Sequence, residues 1–146
     1  MLRPEFVRRK LQLIVDDLGH LSAYRTITHE ALVADFAALA TVERLLERIV
    51  MRAIDVNRHL LVEGATGTEP RTTRLTYQDS FRLLAGLGVL PPDFAEAIAP
   101  SAGLRNVLVH DYNDADRRIV HAAIGACLDQ YPRYVDHVSR YLDRLP

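Results

Sequence analysis

The chain of 146 residues carries 18 basic and 19 acidic side chains, is 49% hydrophobic and 25% charged, and has a formal net charge of −1. This is ordinary globular composition, long enough to bury a core without staples. The near-neutral balance excludes a protein that coats nucleic acid through a global basic field, but leaves room for a local basic cleft.

A lone cysteine, Cys127, excludes an internal disulfide framework. No apolar run approaches the ~20 residues needed to span a bilayer. The opening MLRPEFVRRKLQLIVDDLGH is basic in part, yet Asp16 and Asp17 interrupt any signal-like core, which points to a cytoplasmic protein with no membrane partner. Lys10 is the one lysine among 17 arginines. Arginine forks onto phosphate, although a GC-rich coding bias is the plainer explanation of the preference.

In chain order, Val7, Leu11, Ile14, Leu18 and Leu21 recur at spacings of four and three and predict an amphipathic helix over residues 4 to 24. Pro4 suits its first turn. RTIT, residues 25 to 28, reads as a connection whose Thr28 caps a long second helix. Leu32, Phe36, Leu39, Leu46, Ile49, Ala53, Val56 and Leu60 carry that helix to about Glu63, and Gly64 stops it. GATGTEPRTTR, residues 64 to 74, reads as a loop. A third helix spans Tyr77 to Leu87, with Thr76 as its cap and Gly88 as its stop. Pro91-Pro92-Asp93 opens a fourth, which Pro100 should kink. NDAD, residues 113 to 116, starts a last helix running from Asp116 to Leu145 and bent at Pro132. No stretch alternates with period two. The prediction is one all-α domain over residues 1–146, an up-and-down bundle of about five helices.

The fourth helix carries RNVLVHDY, residues 105 to 112. On an ideal helix Arg105 and Tyr112 fall within roughly 20° of each other, whereas Arg105 and His110 stand roughly 140° apart. Arg105, Asn106, Val109, His110 and Tyr112 cover one broad side; Leu104, Val107, Leu108 and Asp111 lie on the other. Histidine moves protons near neutrality. Arginine neutralises a phosphate and the charge that develops on it during transfer. Cleaving RNA needs both: a base for the ribose 2′-hydroxyl, an acid for the departing 5′-oxygen, and cations on the phosphorane in place of a metal. A two-fold dimer would supply a second histidine and set Arg105 of one chain beside His110 of the other. A histidine among valines and leucines is also a common structural residue, and the spacing alone does not decide between the two.

ATVERLLERIVMRAIDVNRHLL, TYQDSFRLLAGLGVLPPDFAEAIAP and GLRNVLVHDY, in this order along nearly the whole chain, resemble the HepT-like (DUF86) branch of the HEPN superfamily. The family signature of arginine, four residues, histidine, one residue, tyrosine is intact as Arg105, His110 and Tyr112, with Asn106 after the arginine. The resemblance implies an all-helical homodimer with the motif in a cleft between protomers. It implies a toxin of a two-gene toxin–antitoxin system, acting as a metal-independent ribonuclease on targets such as tRNA and needing no cofactor. It further implies an MntA-like minimal nucleotidyltransferase partner that silences the toxin by transferring AMP onto Tyr112. His110 and Arg105 would be catalytic and Asn106 supporting. Two departures from the family pattern stand out: Pro100 five residues before Arg105, and a long loop at residues 64–74, whose Arg71 and Arg74 are read first as solvated loop charges, with contact to RNA as the alternative.

His20, His29, His59, His121 and His137 form no metal-like pair and are expected on the surface or in the core. Glu43, Arg44, Glu47, Arg48 and Arg52 are expected to pair within their helix, and Tyr131, Tyr134, Val138, Tyr141 and Leu145 to build core. The alternatives to a nuclease are a non-catalytic HEPN module that binds a nucleotide or a partner nucleotidyltransferase, and a plain dimeric interaction protein.

Overall fold

The first helix, α1, spans Pro4–Leu21 with its proline in the first turn, and buries Val7, Leu11, Ile14, Leu18 and Leu21, the face the spacing predicts. The computed structural model to which it belongs describes residues 1–64, 76–109 and 113–146. The predicted loop, including Arg71 and Arg74, lies outside them from residue 65 onward. Among the described residues there is no strand.

The predicted long second helix is two helices. Thr28 accepts the Ala31 N–H at 3.1 Å and caps α2, His29–Ala34. Asp35 then turns to extended backbone, and its carboxylate accepts the Ala38 N–H at 3.1 Å to open α3, Phe36–Gly64. A short acid side chain that bonds its own backbone competes with helix continuation, which is why the chain breaks here although the apolar spacing runs on. One consequence is that Phe36, predicted to face the core, is 84% exposed. The rest of that face is buried as expected. Leu46, Ile49, Ala53, Val56 and Leu60 are completely covered, and burial stabilises by about 1.5–3 kcal/mol for each large side chain among them.

The charged residues of α3 divide. Arg44 pairs with Glu47 within the helix at 3.4 Å. Arg48 and Arg52 instead cross to Asp17 of α1, at 3.1 and 2.6 Å. Asp17 sits on the packed face of α1 and is buried, so it needs cationic partners from the facing helix.

Helix α4, Tyr77–Gly86, begins at Thr76, whose hydroxyl accepts the Asp79 N–H at 3.1 Å. Gly88 adopts φ +76° just beyond its end, a conformation that favours glycine. The predicted fourth helix is interrupted. It runs as α5, Pro92–Ile98, tightens into a 3₁₀ turn over Ala99–Gly103, and resumes as α6, Leu104–Val109. Pro100 lacks the N–H and the space to continue an α-helix, so its effect exceeds a kink. Asn113 and Asp116 form a reciprocal capping box that opens α7, Asp114–Asp143, which contains Pro132. Five predicted helices thus become seven α-helical segments among the described residues.

The long helices α1, α3 and α7 pack against one another, α4 and α6 lie on α3, and α6 also touches α7. Tyr131, Tyr134 and Val138 are wholly buried, and Tyr141 and Leu145 pack against the core. One buried polar chain crosses this core. The Tyr134 hydroxyl donates to Asn57 Oδ1 at 2.5 Å, Asn57 Nδ2 donates to Ser80 Oγ at 3.1 Å, and Ser80 Oγ donates to the Tyr77 carbonyl at 2.7 Å. It ties the first turn of α4 to α3 and α7.

Candidate functional site

Helix α6 splits the motif as its apolar pattern requires. Leu104 is buried, Val107 and Leu108 pack against the core, and Arg105 and Asn106 are exposed on the outer side. His110 and Tyr112 lie outside the described residues, so the structure places two of the four predicted site residues.

Arg105 does not hang free. Its Nη1 donates to the Tyr77 hydroxyl at 2.8 Å, and its guanidinium carbon lies 5.8 Å from the centre of the Tyr77 ring. Arg58 of α3 approaches the same ring at 5.7 Å. Neither Tyr77 nor Arg58 was singled out by the sequence reading. Tyr77 was only the first residue of a helix, 28 positions from Arg105, and no spacing rule connects them.

Asn106 lines a hollow of about 380 Å³ together with Thr76, Tyr77, Gln78, Ala102 and Gly103. A Cβ on Gly103 would stand 3.4 Å from Gln78 Nε2, an ordinary contact with the end of a flexible side chain, so the 3₁₀ turn and α4 lie close here without requiring glycine. The Thr76 side chain and then its backbone, with Arg82, hold the Asp79 carboxyl below the usual carboxylate range against a smaller opposing effect of burial. The cap that starts α4 therefore carries negative charge at neutral pH. The approach to α6 is anchored as well. Ser101 Oγ donates to the Ile98 carbonyl at 2.7 Å and shares a 2.7 Å hydrogen bond with the buried Tyr131 hydroxyl.

Another face of α6 borders an apolar groove of about 470 Å³, lined by Val50, Pro100, Leu104, Val107, Ile119 and Cys127 among others. Burial pushes the Cys127 thiol up to about 12, so it is packing and no nucleophile. Four of the other histidines make structural contacts, as expected. His59 meets Phe6 and His137 meets Phe94 as tilted rings, His29 meets His121 edge to face, and His121 Nε2 bonds the Ile27 carbonyl at 2.7 Å. His20 is exposed. Among the described residues no three His, Cys, Asp or Glu side chains converge as a metal would require, and no helix is long and apolar enough to cross a membrane.

The arrangement can present a fixed guanidinium to an anion beside a hollow with amide donors. Known proteins that share the sequence and the fold bear on which anion. A curated relative, the tRNA nuclease HepT of Aphanizomenon flos-aquae, is 37% identical over 141 residues, covering 97% of this chain and 92% of the relative. The mRNA nuclease HepT of Shewanella oneidensis is 28% identical over 105 residues, covering 72% and 75%. The fold matches that of the tri-AMPylated Shewanella oneidensis HEPN toxin in complex with MNT antitoxin, with TM-score 0.77, 22% identity and 94% and 99% of the two chains covered. A toxin–antitoxin structure with AMP-PNP matches with TM-score 0.75 at 22% identity, over 93% and 98% of the chains. The family described as Ribonuclease HepT-like matches residues 8–138, nearly all of the described core and the whole of the motif, and the chain belongs to that HepT-like family.

Proposed function

We propose that the protein is the toxin of a toxin–antitoxin pair, a metal-independent endoribonuclease that cuts tRNA and is silenced by AMPylation of Tyr112. The observation that carries this reading is Arg105, an exposed guanidinium fixed by Tyr77 at the head of an intact family motif. The 37% identity to a tRNA nuclease over almost the full length supports tRNA as the target class.

In this reading His110 takes the proton from a ribose 2′-hydroxyl. The freed oxygen attacks the adjacent phosphorus, the P–O5′ bond breaks, and the 5′-oxygen leaves with a proton. Arg105 meets the charge gathering on the phosphorane. Asn106 orients the nucleotide from the hollow it lines. One motif histidine per chain is thin for two proton transfers, so the working unit is a homodimer whose second copy supplies the other. The apolar groove bordering α6 supports such a partner face. The site uses no metal or other cofactor, and the setting is cytoplasmic.

Silencing follows from the same electrostatics. A cognate MntA-like nucleotidyltransferase directs the Tyr112 oxygen onto the α-phosphorus of ATP; pyrophosphate leaves and a phosphodiester remains. That anion pairs with Arg105 and occupies the place of RNA phosphate.

The test is purified protein incubated with total tRNA in EDTA, beside Arg105→Ala. Cleavage by the native chain and its loss in the variant support the reading. Intact tRNA in both, or equal cleavage by both, defeats it.

A further inference from the structure

Three separate helices meet at Tyr77: Arg58 arrives from α3, Tyr77 stands at the start of α4, and Arg105 arrives from α6. The two guanidinium carbons lie 5.7 and 5.8 Å from one ring centre. Both arginines are exposed. Among the described residues neither has a carboxylate partner, whereas Arg8, Arg44, Arg82, Arg133 and Arg140 each have one. Two cations gathered on one aromatic ring repel each other. The ring face and the phenol oxygen offset part of that, and the pair suits a ligand that brings more than one negative charge.

The backbone that carries the ring is held, and the ring packs against the core. The Tyr77 carbonyl takes the last hydrogen bond of the buried chain from Tyr134 through Asn57 and Ser80. Tyr77 is therefore a rigid post set on the core, and the Arg105 side chain leans on it by a hydrogen bond and a ring contact at once. A long guanidinium side chain loses rotamer freedom when ordered. A post that orders it before the substrate arrives removes that cost from the reactive complex.

We propose that Arg58 and Tyr77 belong to the RNA-handling machinery: Arg58 binds a second backbone phosphate of the substrate, and Tyr77 is a positioning residue that aims Arg105 at the first. This rests on the ribonuclease reading above and names two residues outside the motif. Phosphates follow one another along a single strand, so a chain crossing Tyr77 meets Arg105 at one and Arg58 at its neighbour. The half-buried phenol ring between them offers its open part to a sugar or base.

The experiment uses the full chain and a 2′-O-methylated single-stranded RNA, which cannot be cut through the 2′-oxygen. Affinity is measured across a range of salt for the native protein, Arg58→Ala, Arg58→Lys and Tyr77→Phe. Arg58→Ala should lower the steepness of log K against log salt by about 0.7, the contribution of one single-strand phosphate contact, and Arg58→Lys should restore it. Tyr77→Phe keeps every charge and should leave the slope unchanged. With unmodified RNA it should lower kcat about tenfold at nearly constant KM, and the Arg105 side-chain N–H resonance should lose its hydrogen-bonded shift. An unchanged slope in Arg58→Ala overturns the phosphate contact. Native kcat together with a native Arg105 resonance in Tyr77→Phe overturns the positioning role. Salt-dependent binding that needs Arg58, in a protein that leaves every RNA intact, refutes the nuclease reading alone and sustains Arg58 as an RNA contact.

Discussion

Arg105 donates from Nη1 to the Tyr77 hydroxyl at 2.8 Å across 28 residues of chain. The bond links the motif helix to the first turn of α4, so whatever sets that turn also sets the guanidinium. Thr76 is the first such determinant. Its hydroxyl accepts the Asp79 N–H, and Thr76→Ala should cost about 1 kcal/mol of stability. Urea unfolding would measure that. RNA cleavage should fall further than the lost stability explains, because the fraying turn is the one that carries Tyr77.

The second determinant is the buried chain behind Tyr77. Tyr134→Phe removes the donor to Asn57 Oδ1 and to the Ala53 carbonyl. Asn57 is fully buried, so its oxygen is left without that partner, and the cost should be about 1–3 kcal/mol. A midpoint in denaturant equal to that of the native protein would show that the network adds nothing.

His59 should make stability pH-dependent. Its Nε2 accepts the Arg3 N–H at 3.0 Å, which an unprotonated nitrogen alone can do. Burial first, then the Arg3 charge, lower its pKa from the ordinary value. The folded chain therefore binds this proton less readily than the unfolded chain. The contribution is complete above about pH 6.5 and is lost as pH falls through the lowered folded value. His59→Gln keeps an acceptor and cannot titrate. Urea unfolding at about pH 7.5 and about pH 5 should show a smaller acid loss in the variant than in the native chain.

Cys127 lines the apolar groove, and burial pushes its thiol up to about 12. The thiolate is the reactive form, so iodoacetamide at about pH 8 should label the folded protein far more slowly than the urea-unfolded protein. Equal rates would mean that the groove is open to solvent at that depth.

Much of this could be read from residue order, and the limits are physical. Apolar spacing located α1, the core face of α3 and the aromatic face of α7, because burial imposes a period. Thr28, Thr76, Gly88 and Asn113 marked helix ends, because unpaired backbone groups demand a short polar side chain or a positive φ. Asp35 is the instructive miss. The apolar period runs straight through it from Leu32 to Leu39, and its capping bond to Ala38 depends on a local competition that the period does not report. Pro100 was noticed, but a proline alone does not say whether a helix bends or tightens into a 3₁₀ turn. Arg48 and Arg52 looked self-sufficient on their own helix, and their link to Asp17 exists only once α1 is laid beside α3. The same holds for Tyr77 and Arg58. Arg105 and Asn106 drew attention because they sit in a short motif, whereas Tyr77, which holds Arg105, comes from another helix.

The chemistry of the cut ends tests the central claim most directly. If imidazole and guanidinium act on RNA through the neighbouring 2′-oxygen, fragments made in EDTA carry a 2′,3′-cyclic phosphate on one side and a 5′-hydroxyl on the other. Fragments ending in a 3′-hydroxyl and a 5′-phosphate, or scission that stops when divalent ions are removed, would contradict it.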